Sequence, residues 1–139
     1  MDNFLWRLPV YAAALWWGSL TTIGFLVVPL LFMHLPTPAL AGGMAAKLLT
    51  AQTWMSVACG GILLLTSTSK QASAPAQRAH DAIVFILLGL LLALLVEFAV
   101  APRIVTRTNL KLWHSVGSVM YLVQWLCAAI VFWRITPKQ

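Results

Sequence analysis

Long apolar stretches separated by short polar connections organise this chain. They run over about 8–33, 48–67, 82–101 and 112–133. A helix needs about 20 residues to cross the hydrocarbon core of a bilayer, and each stretch has that length. Backbone groups in lipid must form hydrogen bonds within their own segment, so all four stretches are predicted to be helices. The pattern therefore predicts one all-α domain over residues 1–139, an antiparallel bundle of four transmembrane helices.

The connections contain residues that end helices. HLPTPALAGGMAAK carries two prolines and a Gly-Gly pair, and KQASAPAQRAHD is polar, so both are predicted to be turns. Pro102 is predicted to end the third helix. Within the first stretch, Pro29 is predicted to produce a kink, because it leaves the carbonyl of Phe25 without its helical donor.

The amino-acid composition indicates that lipid, and not water, surrounds most of the chain. Hydrophobic residues make up 61% of the 139 residues and charged residues 9%, whereas an average soluble domain has about 25% charged residues. A soluble protein of this size could not bury so much apolar surface, so the lipid bilayer is the expected partner. The net charge is +6, but the basic residues lie singly in the connections. They are expected to contact lipid headgroups, and no nucleic-acid partner is expected.

The basic residues also predict an orientation. Four crossings bring both termini to one side of the membrane. The basic residues on that side are Arg7, Lys70, Arg78, Arg134 and Lys138, and those on the opposite side are Lys47, Arg103, Arg107 and Lys111. The small excess predicts that both termini lie in the cytoplasm, with the protein in a bacterial inner membrane.

Small residues recur at intervals of about four within the apolar stretches. This spacing lets helix backbones approach closely where the hydrophobic effect cannot drive packing. The predicted packing positions are Gly18, Thr22, Ser56, Gly60, Gly89, Ala93, Gly117 and Ser118. Packing within one four-helix bundle need not use all these small-residue faces, so we expect a homo-oligomer or a place in a larger membrane complex.

The two cysteines are not expected to carry chemistry. Cys59 and Cys127 form no CxxC motif and are expected to be buried, inert thiols.

A single carboxylate interrupts the third stretch. Glu97 continues the spacing of the small residues before it, so it is predicted to face the bundle about one turn from the helix end. His34, Arg103 and His114 fall at the same end and are predicted to form a polar cluster with it. This cluster would lie at the non-cytoplasmic mouth of the bundle. Two interpretations stay open: a structural ion pair of Glu97 with Arg103 or His114, or a site for a ligand, a metal or a proton.

Several motifs together resemble a known family. LWWGSLTTIGFLVVPLLF, LAGGMAAKL, EFAVAPRI and LWHSVGSVMYLVQW resemble the bacterial membrane proteins grouped as domain of unknown function 4149. That group looks related to eukaryotic membrane proteins linked to platinum-drug resistance. The resemblance covers nearly the whole chain and implies a four-helix membrane protein with no established reaction. The positions that match its recurrent polar features are Trp17, Gly18, Pro29, Pro102, Arg103 and His114.

More distantly, the layout resembles copper-resistance D-type proteins and the haem-binding membrane protoporphyrinogen oxidase, which implies metal or haem. Those relatives carry histidines within spans at positions that this chain lacks. One hypothesis is a non-enzymatic accessory subunit or a small-ligand or metal-binding factor, built around Glu97, Arg103 and His114. The other is a haem- or porphyrin-binding redox protein that uses His114, the candidate metal ligand, with His34 as its second ligand. Nothing resembles a hydrolase triad, a phosphate loop or a zinc ligand set, so the sequence favours a non-enzymatic protein.

Overall fold

Four long helices account for most of the chain. A computed structural model describes residues 2–68, 74–107 and 109–136, with side chains from Arg7 onward, and within these ranges no strand occurs. Four helices are long and apolar enough to cross a membrane. They are span 1 (Arg7–His34), span 2 (Pro38–Ser67), span 3 (Ile83–Val105) and span 4 (Leu110–Ile135). The prediction of an all-α, four-span membrane protein is confirmed.

Two of the spans are interrupted by a π-helix, in which hydrogen bonds join residues five apart. The α-helices are α1 (Asp2–Thr22), α2 (Val28–His34), α3 (Pro38–Ser67), α4 (Ala74–Asp81), α5 (Ile83–Leu95), α6 (Ala101–Val105) and α7 (Leu110–Ile135). The first π-helix, Ile23–Val27, joins α1 to α2 within span 1, and the second, Val96–Val100, joins α5 to α6 within span 3.

The prediction that Pro102 ends the third helix is wrong. Span 3 continues to Val105, and Pro102 lies at the start of α6, directly after the second π-helix. The fixed φ angle of proline suits a helix, so the span can continue through Pro102 although proline has no backbone N–H to donate. Pro29 lies in the same way at the start of α2, directly after the first π-helix. Each proline therefore follows a π-helix inside a continuous span.

The two connections predicted as turns are also partly helical. Span 2 begins at Pro38, about ten residues before its predicted start, and includes the Gly-Gly pair. Thr37 caps it: the Thr37 side-chain oxygen accepts a hydrogen bond from the backbone N–H of Leu40 at 3.2 Å. In the second connection, Ala74–Asp81 forms the short helix α4. At the start of span 2, the Thr37 cap and the first-turn Pro38 stabilise the helix enough to offset the flexibility of the Gly-Gly pair.

The spans form an antiparallel ring. Each span packs against the next along the chain, and span 4 closes the ring against span 1. Trp17 stacks on Phe132 at 5.6 Å between ring centroids, and the Tyr121 hydroxyl donates to the carbonyl oxygen of Leu20 at 2.8 Å. Because rising numbers in span 1 meet falling numbers in span 4, the two helices run in opposite directions.

A tryptophan fills the middle of the ring. Trp16 is fully buried. A Cβ atom built on Gly89 of span 3 would lie 2.8 Å from the Trp16 ring and 3.5 Å from the Cβ of Cys127. Since the ring is enclosed and cannot easily move, glycine at position 89 is what lets Trp16 reach across the bundle.

The other predicted packing positions differ in their surroundings. Ser56, Gly60 and Ala93 are buried between spans, and a Cβ atom on Gly117 would lie 3.2 Å from Val100. Gly18, Thr22 and Ser118 lie in more open surroundings. A Cβ on Gly18 would meet no atom within 4 Å, and the exposed hydroxyls of Thr22 and Ser118 donate to carbonyl oxygens of their own helices.

Candidate functional site

A cavity of about 460 Å³ opens among all four spans. It lies toward the end of the bundle where span 1 ends and span 4 begins. Its walls include Phe25 and Phe32 from span 1, Leu49 from span 2, Val100 from span 3 and Tyr121 from span 4. Small-molecule sites typically have volumes of about 300–1,000 Å³, mostly apolar walls and a few polar groups. The cavity has the size and the character of such a site.

Both π-helices border this cavity. The first π-helix contributes Gly24 and Phe25, and the second contributes Val96, Glu97 and Val100. A π-helix is rare, and it is found frequently at functional sites because its extra residue turns side chains away from the regular helical spacing. The two π-helices lie on opposite walls of the cavity. The bundle therefore departs from regular α-helical geometry where it surrounds the cavity.

Glu97 lines the cavity and is held by a residue of the neighbouring span. The Thr50 hydroxyl, in span 2, lies 2.9 Å from one carboxylate oxygen of Glu97 and 3.1 Å from the other, and donates a shared hydrogen bond to them. Both side chains are half-buried. Sequence reasoning missed Thr50 as a partner of Glu97. The signal in the sequence that could have found Thr50 is its predicted depth in the membrane, which is comparable to that of Glu97.

Arg103 does not reach Glu97. Its Nη1 donates to the carbonyl oxygen of Ala99 at 2.7 Å, and its guanidinium carbon lies 4.4 Å from the centroid of the Trp113 ring. This cation–π contact joins the end of span 3 to the start of span 4. The suggested ion pair of Glu97 with Arg103 is not formed. Because the helix continues past Pro102, Arg103 keeps helical spacing and does not fold back over the cavity.

The two histidines have different positions. His114 lines the same cavity as Glu97, although no hydrogen bond joins these two described side chains. His34 is exposed and does not line the cavity, and its Nδ1 lies 3.0 Å from the carbonyl oxygen of Leu30 in its own helix. The structure thus brings Glu97 and His114 to one cavity, and it places Arg103 and His34 outside it.

A network of buried amides crosses the bundle centre. Gln52 Nε2 donates to Ser19 Oγ at 3.0 Å, and Gln124 Nε2 donates to Ser56 Oγ at 3.1 Å. Ser56 Oγ in turn donates to the carbonyl oxygen of Gln52 at 2.9 Å. Spans 1, 2 and 4 are joined in this way. Sequence reasoning did not single out either glutamine, although polar side chains inside a membrane bundle commonly link helices.

The residues near His114 do not fit a metal or a haem with two histidine ligands. Structural and catalytic metal sites generally use three or four protein ligands. In the part of the chain that the structure describes, no group of three or more His, Cys, Asp or Glu side chains could hold a metal ion. Cys59 and Cys127 are buried free thiols. A pair of imidazoles on one haem would need His34 inside the cavity, where it does not lie.

The architecture is that of a small membrane-type helical bundle, and the cavity among its spans has a carboxylate on its wall. The chain belongs to the family described as a domain of unknown function (DUF4149), whose model matches residues 11–112. This confirms the family resemblance. The matched region includes Thr50, Glu97 and Arg103 and ends just before His114. No curated protein and no solved structure matches the chain.

Proposed function

We propose that this chain is a non-enzymatic membrane protein that binds a small amphipathic molecule in the cavity among its four spans. One observation carries the proposal: the Glu97 carboxylate faces a mostly apolar cavity and is held by a threonine instead of an arginine. Ionisable residues inside membrane spans are costly and commonly mark substrate or ion pathways. An ion pair would have given Glu97 a purely structural role, and the suggested pair with Arg103 is absent.

The hydrogen bond from Thr50 does not by itself explain why a carboxylate lies inside span 3. A hydrogen-bonded polar pair can often be replaced by two apolar groups of the same shape at little cost to stability. Packing between spans 2 and 3 therefore does not require Glu97. Its position on the cavity wall supports a role toward a bound molecule, with the apolar walls holding the rest of that molecule.

Two adjacent glycines provide a matched test. Gly42 lines the cavity and Gly43 does not, and a Cβ atom on either would meet no other atom within 4 Å. Gly42→Phe should therefore fill part of the cavity, while Gly43→Phe adds the same side chain to the outer surface. Because both changes replace glycine in the same helix, their effects on helix formation should be similar.

Binding would be measured by calorimetry in maltoside micelles, with empty micelles as the blank. The probes are benzyltrimethylammonium and its uncharged isostere neopentylbenzene. We expect at least one probe to bind the unmodified protein and Gly43→Phe, and to bind Gly42→Phe much more weakly. If neither probe binds, or if the two variants lose binding equally, the cavity is not the binding site and the proposal is wrong.

The proposal also includes the orientation and the assembly of the protein. With both termini in the cytoplasm of a bacterial inner membrane, the cavity would lie toward the opposite face of that membrane. A Cβ atom on Gly18 would meet no atom within 4 Å and Thr22 is exposed, so this part of span 1 is available to a second copy or to another membrane protein. This placement supports a homo-oligomer or an accessory role in a larger complex.

A further inference from the structure

We infer that the molecule bound in this cavity is a hydrophobic organic cation, an amine or a quaternary ammonium with an apolar body. This inference rests on the proposed binding function and names the class of its ligand. It follows from three properties of the cavity: the charge of its lining, its aromatic side chains and the small number of side chains that could ligate a metal.

The charges around the cavity favour a positive group. Among the described residues that line it, Glu97 is the one acidic side chain, His114 is the other titratable side chain apart from Tyr121, and no lysine or arginine is present. The nearest basic side chain along the helix, Arg103, is directed to Ala99 and Trp113. A carboxylate in surroundings of low dielectric attracts a cation more strongly than it would in water, and it repels an anion.

The aromatic walls favour an organic cation. Phe25, Phe32 and Tyr121 line the cavity. The Tyr121 hydroxyl donates its proton to the carbonyl oxygen of Leu20, so this proton is not directed at a ligand in the cavity. Aromatic faces attract alkylammonium groups, and they also contact the apolar part of the same molecule. A carboxylate and aromatic side chains around one cavity recognise both parts of such a ligand.

A metal ion fits the same charge less well. Glu97 and His114 are the only two side chains on the described lining of a type that commonly ligates metals, and no set of three occurs in the described chain. Metal ions with so few protein ligands are held weakly. An organic cation needs no coordination set, because one carboxylate and several apolar contacts suffice.

Thr50 acts as a positioning residue in this site. Its hydroxyl contacts both oxygens of Glu97 from span 2, and Thr50 itself does not line the cavity. The hydrogen bond fixes the carboxylate in one direction without neutralising its charge. A bound cation would meet a carboxylate that is already oriented.

The test compares the two isosteric probes on charge variants. Glu97→Gln removes the charge at the cavity, and Asp81→Asn removes one at the opposite end of the bundle as the matched control. In maltoside micelles we expect benzyltrimethylammonium to bind the unmodified protein about tenfold or more tighter than neopentylbenzene, since one charge contact of about 1.4 kcal/mol corresponds to that factor. Glu97→Gln should abolish the difference, and Asp81→Asn should keep it.

The two probes separate the two proposals. Retained binding of neopentylbenzene to Glu97→Gln would show that this variant is folded with its cavity intact. Equal binding of both probes to the unmodified protein, lost in Gly42→Phe, would overturn the cation inference and leave the proposed binding function standing. Binding of neither probe would overturn both.

The cation could be a free molecule or the ammonium headgroup of a lipid. Adding phosphatidylethanolamine to the micelles should compete with benzyltrimethylammonium if a lipid headgroup is the natural occupant, while phosphatidylglycerol, which has no ammonium group, should not. Absence of competition by phosphatidylethanolamine would indicate a free cation. If phosphatidylglycerol competes as well as phosphatidylethanolamine, the site does not recognise the ammonium group, and the inference is wrong.

Discussion

The hydrogen bond from Thr50 to Glu97 predicts an energetic coupling between spans 2 and 3. The perturbation is the pair of substitutions Thr50→Val and Glu97→Gln, made singly and together. Valine keeps nearly the shape of threonine and removes the donor, and glutamine removes the charge of the acceptor. Hydrogen bonds to charged groups contribute about 1.5–3 kcal/mol to stability, and both side chains here are half-buried. We therefore expect a coupling free energy at the lower end of that range, about 1.5 kcal/mol.

Arg103 supplies the comparison cycle. The Arg103 side chain contacts the carbonyl oxygen of Ala99 and the ring of Trp113, and neither is a hydrogen-bond partner of Glu97. Substitutions at sites without shared partners add within about 0.3–0.5 kcal/mol. The cycle of Glu97→Gln with Arg103→Ala should therefore be additive within that margin, whereas the cycle with Thr50→Val should not.

The free energy of unfolding would be measured by reversible denaturation in mixed micelles, followed by tryptophan fluorescence. The cycles need only differences between variants, so the reference state in detergent cancels to a first approximation. A coupling of Glu97 with Arg103 as large as that with Thr50 would refute the geometry described for the site. Additivity in both cycles would show that the Thr50 hydrogen bond contributes nothing measurable.

The remaining predictions concern two glycines, haem, orientation and assembly. Gly89→Ala should destabilise the protein by about 1–3 kcal/mol because the added Cβ would overpack the Trp16 ring; Gly61→Ala, where a Cβ meets no atom within 4 Å, should stabilise by about 0.5–1 kcal/mol in the same unfolding assay. Protein purified from haem-replete cells should show no Soret band, because His34 lies outside the cavity; a Soret band that His114→Ala abolishes would restore the haem hypothesis. Fusions at the C-terminus should give fluorescent-protein signal and little alkaline phosphatase activity, and the reverse result would invert the orientation. Mass measurement in mild detergent should show an oligomer or a co-purifying partner, and a bare monomer would count against assembly.

The span count was predictable from sequence because the membrane leaves the chain so little choice. An apolar stretch of sufficient length must form a helix there, whatever its partners. The details at the ends were less predictable because they depend on local capping. Thr37 and Pro38 start span 2 well inside what was predicted to be a loop, and the Gly-Gly pair that indicated a turn lies within the helix.

The partner of Glu97 was harder to predict because contacts between helices depend on how all four spans rotate against one another. Charge alone suggested Arg103, the nearest basic residue along the chain. The structure selects Thr50, 47 residues away along the chain, because the antiparallel packing of spans 2 and 3 brings it to the same depth. Sequence spacing could indicate that Glu97 faces the bundle, but not which hydroxyl on a neighbouring helix it meets.

Gln52 and Gln124 illustrate a different limit. Each stands within an apolar stretch, so a general expectation of interhelical hydrogen bonds was available from the sequence. Their common partner, Ser56, was considered only as a small packing residue. Which role a serine takes depends on whether an amide from another span reaches its hydroxyl, and that distance is set by the assembled bundle.

The second π-helix also has a consequence for how the length of span 3 can vary. A π-helix contains one residue more than the same stretch of α-helix would need, so Val96–Val100 holds a surplus residue within the span. Deleting one residue there could restore a regular α-helix and leave both flanking helices in their places. The same deletion in α5 would rotate every following residue by about 100° around the helix axis. Among natural relatives of this chain, one-residue length differences in span 3 should therefore fall at the π-helix, beside the cavity.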